Sequence, residues 1–380
     1  MNVKLLIISN MAHYRRNGRI VGWGPAVQEI DQLATMFDDV RHVACLHEDE
    51  APPTALPYGS EWVSVVGVPA SGGDSALSKL RVLWMTPRYV RTMWREIATA
   101  DCIHVRCPAN ISLLAIALLA LIRSRGIRWV KYAGNWQAHR GEAWSYAFQR
   151  WWLTRGFHRG LVTVNGEWPG QPDHVRSFLN PCLTAEELEE GRRAAAEKSL
   201  TFPIRLLFVG RLEAAKGCGR VLDILSRVRE LGIPACLDVV GDGPNRNEFE
   251  ARAAALRADG SVHFLGLLPR PSLPAVYAAS HILVFPSCSE GWPKVLSEGM
   301  AFGVVPVASA VGSIPQYLKA FRTGKALAAN DVEGFAQAIA WYCQNPEQWK
   351  TESVCAVKAA ADFGYTRYLT EVRRLLQMAD

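Results

Sequence analysis

Two glutamates eight positions apart, Glu290 and Glu298, bracket a Trp-Pro-Lys in the stretch SEGWPKVLSEGMAFG. An ionised carboxylate accepts hydrogen bonds from vicinal hydroxyls, the usual way proteins hold sugars and riboses. The segment reads as a buried strand over 282–286, a loop carrying Glu290, and a helix opening near Pro293 with Glu298 in its second turn. On that reading both carboxylates point into one pocket at the helix N-terminus. There the backbone of Trp292, Lys294 and Val295 offers exposed N–H donors to phosphate or sugar oxygens, and Pro293 stiffens the turn while removing one donor. The plainer reading is that Glu290 complements the positive end of the helix and Glu298 is solvated.

A second stretch, LLFVGRLEAAKGCGRVLDIL, ends a buried strand at Gly210, places Arg211 and Lys216 in the following loop, and opens a helix near Gly217. Two cations and unpaired helix N–H groups at one strand end suit a diphosphate. Arginine forks two oxygens, lysine supplies a compact charge, and the helix dipole adds to both. A strand-to-helix turn with solvated cations has the same pattern. In LDVVGDGPNRNEF, Gly241 and Gly243 bracket Asp242 where a strand turns sharply toward a helix opened by Pro244, a pattern that is structural when taken alone. No G-x-G-x-x-G follows the 204–210 strand, which argues against a dinucleotide fingerprint.

The elements that must position these residues alternate along the whole chain. Apolar runs at 3–9, 41–47, 62–68, 101–107, 127–133 and 160–166 are separated mostly by helix-length segments, the rhythm of a parallel sheet covered on both faces. The rhythm breaks at 180–203, in a charged helix, and restarts at 204–210, 235–241, 261–266, 282–286 and 304–308. The expected fold is therefore α/β, with two doubly wound Rossmann-like domains facing a cleft. The domains run over 1–182 and 204–360, with a linker helix over 183–203 and a C-terminal amphipathic helix over 361–380. Acceptor loops are expected at 10–24 and 68–76.

The nine cysteines form no C-x-x-C pair and no His/Cys metal spacing, and they read as reduced thiols. No leader precedes the first strand, and the longest apolar run, from Ile111 and flanked by Arg123 and Arg125, is too short to span a bilayer. Together these point to a cytoplasmic protein. The formal charge of +6 arises in the first half, where residues 1–180 hold 20 Lys/Arg against 14 Asp/Glu. Much of it lies in SKLRVLWMTPRYVRTMWREIA, where Arg81, Arg88, Arg91 and Arg95 interleave with Trp84, Tyr89, Met93 and Trp94. Such a segment suits an anionic membrane surface, here the inner face, or an acidic acceptor; the plainer reading, a helix pair around Pro87 with a solvated basic face, is the commoner one. Nucleic acid is not among the expected partners.

The three glycine- and glutamate-bearing stretches occur in order, with FLGLLPRPSLPAVYAASHILVFPS between the last two. Together they resemble the donor-binding half of retaining glycosyltransferases of the two-Rossmann B-type fold (GT-B), family 4 in particular. The resemblance is strong over 204–310 and weaker over 1–180. It implies a nucleotide-diphosphate sugar as donor substrate, no cofactor, no metal, and a glycan or lipid-linked acceptor in cell-surface polysaccharide assembly. By it, Arg211 and Lys216 bind and neutralise the diphosphate and Glu290 holds the transferred sugar. Glu298 holds the ribose, and the backbone from Leu268 to Arg270 holds the base. Gly210, Gly243, Trp292, Pro293, Lys294 and Val295 complete the donor site. GWGP, with Gly22, Trp23 and Gly24, matches a first-domain Gly-rich turn that approaches phosphates and acceptor. A histidine common in relatives is missing from VKYAGNW, leaving its role to Asn135, Arg106 or a backbone carbonyl. His104 reads as a packed strand residue. A nucleotide-sugar epimerase of the same fold and a non-catalytic nucleotide-sugar-binding subunit remain alternatives at this point.

Overall fold

The structure, a computed structural model, describes residues 3–70, 76–124, 126–138, 141–255 and 260–378. The Arg81 side chain, Arg125, and residues 71–75 of the expected loop 68–76 lie outside the described residues. The chain divides into two compact units, Met1–Phe178 with Leu369–Asp380, and Leu179–Tyr368.

The first unit runs β1 (Lys4–Arg16), β2 (Arg19–Trp23), α1 (Gly24–Ala34), β3 (Asp39–Leu46), β4 (Ala55–Pro57), β5 (Val63–Pro69) and α2 (Ala76–Thr99). It continues with β6 (Cys102–Cys107), α3 (Asn110–Leu121), β7 (Ile127–Tyr132), α4 (Trp144–Thr154), β8 (Leu161–Val164) and β9 (Val175–Ser177). Its sheet has the order β5-β3-β1-β6-β7-β8-β9 with every neighbouring pair parallel. Leu5 to Ile8 of β1 are fully buried, as a central strand covered on both faces requires.

The far half of β1 departs from the sequence reading, which ended the first strand at residue 9 and took 10–24 for a loop. Beyond a register shift at Ile8/Ala12 it pairs antiparallel with β2, and β2 pairs with β4. Arg16 faces Arg19 across Asn17 and Gly18, both at positive φ (52° and 75°), the two-residue turn whose twist matches its strands. Gly22 and Trp23 are consequently strand residues, and Gly24 already belongs to α1, not to a Gly-rich turn.

The second unit runs α5 (Ala185–Glu197), β10 (Ile204–Val209), α6 (Cys218–Glu230), β11 (Ala235–Val240), α7 (Arg246–Ala255), β12 (Val262–Gly266) and α8 (Leu273–Ala279). It continues with β13 (Ile282–Phe285), α9 (Lys294–Ala301), β14 (Val305–Ser309), α10 (Ile314–Phe321), β15 (Lys325–Leu327), α11 (Val332–Gln344) and α12 (Pro346–Ala360). A last helix, α13 (Tyr365–Leu376), passes the unit boundary and buries a stripe of Tyr365, Tyr368, Val372 and Leu376. The helix read as a linker, α5, packs on α8, α9 and α12 and lies in the second unit. Thr184 and Glu187 close a reciprocal capping box at its start, and Lys350 donates to the carbonyls of Ala195, Ala196 and Lys198 at its end. Among the described residues no helix is long and apolar enough to cross a membrane.

Candidate functional site

The second sheet is wholly parallel, in the order β12-β11-β10-β13-β14-β15. Strand order reverses between β10 and β13, and in such sheets ligands bind beyond the carboxyl ends of the strands at that switch point. The loop after β10 carries Lys216, and the loop after β13 carries Glu290. Lys216 Nζ lies 2.6 Å from Glu290 Oε1, and Ser287 Oγ donates to the same oxygen at 2.7 Å. Residues 74 apart in sequence thus meet at the place the topology marks.

Backbone packing fixes this pair. Arg220, in the first turn of α6, donates from Nε (3.0 Å) and Nη2 (2.7 Å) to the Pro286 carbonyl, joining the two loops. Ser309 Oγ donates to the Ser287 carbonyl at 2.6 Å, and Ser313 Oγ to the Gly291 carbonyl at 2.9 Å. Gly312 sits at φ 54°, and a Cβ there would lie 2.1 Å from the Glu290 carbonyl oxygen, so the loop after β14 presses on the glutamate loop where only glycine fits. The helices that follow the switch-point strands, α6 and α9, both start without a side-chain cap, as most helices of this chain do. Two helix N-termini and an ammonium beside a carboxylate can bind a diphosphate that carries hydroxylated rings.

Other expected residues are placed differently. Arg211 is 67% exposed at its side chain and pairs at 3.3 Å with Glu213, two residues on, so the two expected cations do not converge on one partner. Glu298 does not share Glu290's surroundings. It lies on the face of α9 that meets α8, where Arg270 Nη1 donates to Oε1 at 3.1 Å and the Tyr277 hydroxyl to Oε2 at 2.9 Å. Arg270 also forks Glu187 at 2.7 and 2.8 Å and donates to the Cys182 carbonyl. The cavity lined by Glu298, Arg270 and Tyr277 is about 10 Å³, so the single two-glutamate pocket is replaced by two separate polar clusters.

Gly291, Trp292 and Pro293 are buried, the indole stacked at 5.3 Å on Phe363 and donating to Ser297 Oγ at 2.7 Å. The expected exposed turn is therefore a packed one, with Lys294 and Val295 half-buried at the start of α9. Gly210 directly follows β10, and Gly243 packs against the Leu212 backbone, where a Cβ would meet the carbonyl oxygen at 2.5 Å, in keeping with a structural part. Leu268 is half-buried, just before the turn holding Arg270. Sequence reasoning missed Ser287 and Arg220; the serine three residues before Glu290 was the available signal, whereas nothing in the sequence marks the long-range Arg220 contact.

In the first unit, Trp23 and Arg106 line one cavity of about 470 Å³ together with Asn10, Pro108 and Ala133. Asn135 lies apart from that lining and accepts from the Gln137 amide at 3.0 Å within its own turn. His104 is fully buried in β6 with its ring centroid 3.8 Å from that of Trp129, a packing residue as read. Arg106 is tied to Glu29 of α1, missed in the sequence: Glu29 is fully buried, with Lys131 Nζ at 2.6 Å and Arg106 Nη1 and Nη2 at 3.2 Å. Removing one member of a buried ion cluster leaves the others uncompensated. Glu29→Ala should therefore cost about 3–5 kcal/mol. Denaturant unfolding checks this; a loss under about 1 kcal/mol would place the cluster in high dielectric.

Residues 193–359 match the family model described as glycosyl transferases group 1. A D-inositol 3-phosphate glycosyltransferase of Kribbella flavida is 31% identical over 218 residues, 54% of this chain and 50% of the relative. The chain spans about half the length of the curated relatives it matches. Sucrose-phosphate synthase from Thermosynechococcus elongatus superposes over 99% of this chain and 98% of its own, with TM-score 0.74 and 17% identity. HepE of Anabaena, solved with UDP and glucose, covers 99% of this chain and 100% of its own, with TM-score 0.70 and 16% identity. The fold is that of the GT-B glycosyltransferases, and the stretch that matches the group 1 model lies within the second unit.

Proposed function

We propose that the chain is a retaining glycosyltransferase that moves a sugar from a nucleotide-diphosphate donor to a glycan or lipid-linked acceptor in cell-surface polysaccharide assembly. The observation that carries this reading is the Lys216–Glu290 pair at the switch point, flanked by the uncapped starts of α6 and α9. The family match over 193–359 supports the class. Lys216, the two helix ends and Arg211 in the same loop neutralise the diphosphate as the glycosidic bond breaks. Glu290 accepts from hydroxyls of the transferred sugar. Ribose recognition by Glu298 requires Arg270 to give up Oε1, since the cavity beside that carboxylate is only about 10 Å³. The bond from the anomeric carbon to the diphosphate oxygen breaks, a bond to the acceptor oxygen forms on the same face, and the departing phosphate oxygen takes the acceptor's proton.

A panel of UDP-, GDP- and ADP-sugars tests the reading. One base series is expected to raise the melting temperature, since a ligand of the native state at 100 times its Kd adds about 2.7 kcal/mol. A flat response across the panel, with no donor consumed by the protein, overturns the reading.

A further inference from the structure

The apolar segment ISLLAIALLALI forms α3, and it is apolar all round, the pattern of a helix covered on every side. One face does meet the core through Ile111, Ala115, Ile116, Leu118 and Leu119. The opposite face is only partly covered, with Leu113 and Leu114 half-buried at the edge of the core. Leu113, Leu114 and Ala117 floor a cavity of about 840 Å³, and Leu121 beyond them is 71% exposed. The walls are Thr86 and Tyr89 of α2 and Trp144 and Phe148 of α4, all within the first unit.

The cavity has a polar end and an apolar end. Asn10, His47 and Asn110 line it at the carboxyl side of the sheet, beside the start of α3, which has no side-chain cap. Asn10 also lines the 470 Å³ cavity that holds Arg106 and Trp23, so the two cavities share a wall. An amphipathic ligand fits this polarity, with an anionic head at the helix N-terminus and a hydrocarbon chain along the outer face of α3. The flanking helices carry the composition of an interfacial surface. Trp84 (87% exposed), Trp144 (76%) and Trp151 (47%) stand beside exposed Arg88, Arg91 and Arg155. Exposed indoles and guanidiniums complement the anionic surface and interfacial zone of a bilayer.

We propose that this cavity takes the hydrocarbon chain of a membrane-borne, phosphate-bearing lipid, with α2 and α4 seated on the anionic bilayer that delivers it. Its role as the acceptor rests on the glycosyltransferase reading; the binding itself does not. A long acceptor of this kind reaches the shared wall at Asn10 with its head while its chain stays in the first unit.

The test uses the full chain without any sugar donor. cis-Parinaric acid should gain fluorescence on binding, and hexadecyl phosphate should displace it at lower concentration than hexadecanol. Ala117→Phe, which fills the cavity from its floor, should weaken both ligands about tenfold or more. Where that variant fails to fold, Leu114→Gln should weaken the chain similarly by making the floor polar. Co-sedimentation with phosphatidylcholine vesicles should rise when phosphatidylglycerol is added and fall in Arg88→Glu/Arg91→Glu. Absence of probe binding, or binding unchanged by both floor variants, overturns the proposal, as does a protein that ignores anionic vesicles. A flat response to nucleotide sugars with intact probe binding sinks the transferase reading and leaves the lipid site standing.

Discussion

Lys216→Ala is expected to lower kcat/KM for sugar transfer by about 10²–10³, the loss of about 3–4 kcal/mol that follows removal of one preorganised charge donor. Nζ of Lys216 is held 2.6 Å from Glu290 Oε1, and with Ser287 on the same oxygen the ammonium is fixed before any ligand arrives. A diphosphate must take that ammonium over from Glu290, which frees the carboxylate for hydroxyls. The two substitutions should therefore separate. Lys216→Ala weakens donor binding and slows transfer, whereas Glu290→Gln leaves the lysine uncompensated, keeps or tightens nucleoside diphosphate binding, and still loses transfer. Both side chains are partly exposed, 31% for Lys216 and 13% for Glu290, so the pair adds little to folding and neither variant should shift the melting temperature by much. Calorimetric titration of the nucleoside diphosphate beside initial rates reads the split. Equal loss of binding in both variants would show that Glu290 contacts the diphosphate region indirectly, through the lysine alone.

How far this site was legible depends on the range of each interaction. Strands β10 and β13 are continuous apolar runs bounded by turn residues, and such runs are visible along a sequence because burial on both faces leaves no polar position. The ends of those strands, hence Gly210, Lys216 and Glu290, followed from them. What brings Lys216 to Glu290 is the parallel pairing of β10 with β13, Leu206 beside Ile282, and no local spacing encodes that register. Glu298 shows the converse. Its partners Arg270 and Tyr277 stand 28 and 21 residues earlier, on another helix and its approach, so a helical-wheel argument about α9 alone aimed its carboxylate at the wrong neighbours. The β1–β2 hairpin was legible and overlooked: Asn17-Gly18 between alternating residues is the strongest short-range hairpin signal a sequence offers. The aromatic walls of α4 were not legible, since Trp144 and Phe148 carry no sign of exposure until the neighbouring helices are placed.

Acidification should unfold the first unit before the second. Among the described residues, four buried histidines sit in the first unit, at 13, 42, 104 and 158, against one, His281, in the second, and burial holds each of them neutral. Burial lowers His13 and His158 from 6.5 to about 4, and it pushes fully buried His42 and His104 well below the ordinary range. Two of them, His13 and His42, share a determined proton order with Tyr58 and Ser9. The Met11 carbonyl can only accept, so His13 Nδ1 carries the hydrogen and Nε2 accepts from the Tyr58 hydroxyl at 2.9 Å. Tyr58 then accepts from His42 Nδ1 at 2.8 Å, and His42 Nε2 accepts from Ser9 at 2.8 Å. A second proton on His13 would turn the Tyr58 hydrogen away from its acceptor. With the folded values depressed, the unfolded chain binds more protons between pH 6.5 and 4. Stability is therefore complete above pH 6.5 and is lost as pH falls through that window. The cost is about 2 kcal/mol for each of His13 and His158 by pH 5, rising to about 3 kcal/mol each, against a total near 5–15 kcal/mol for a domain. His104→Phe keeps the ring stack on Trp129 while deleting one titrating group, and should move the midpoint to lower pH. Amide exchange read by mass spectrometry for each unit decides: equal protection of the first unit at pH 7.5 and 4.5 would mean its histidines are hydrated in the folded chain.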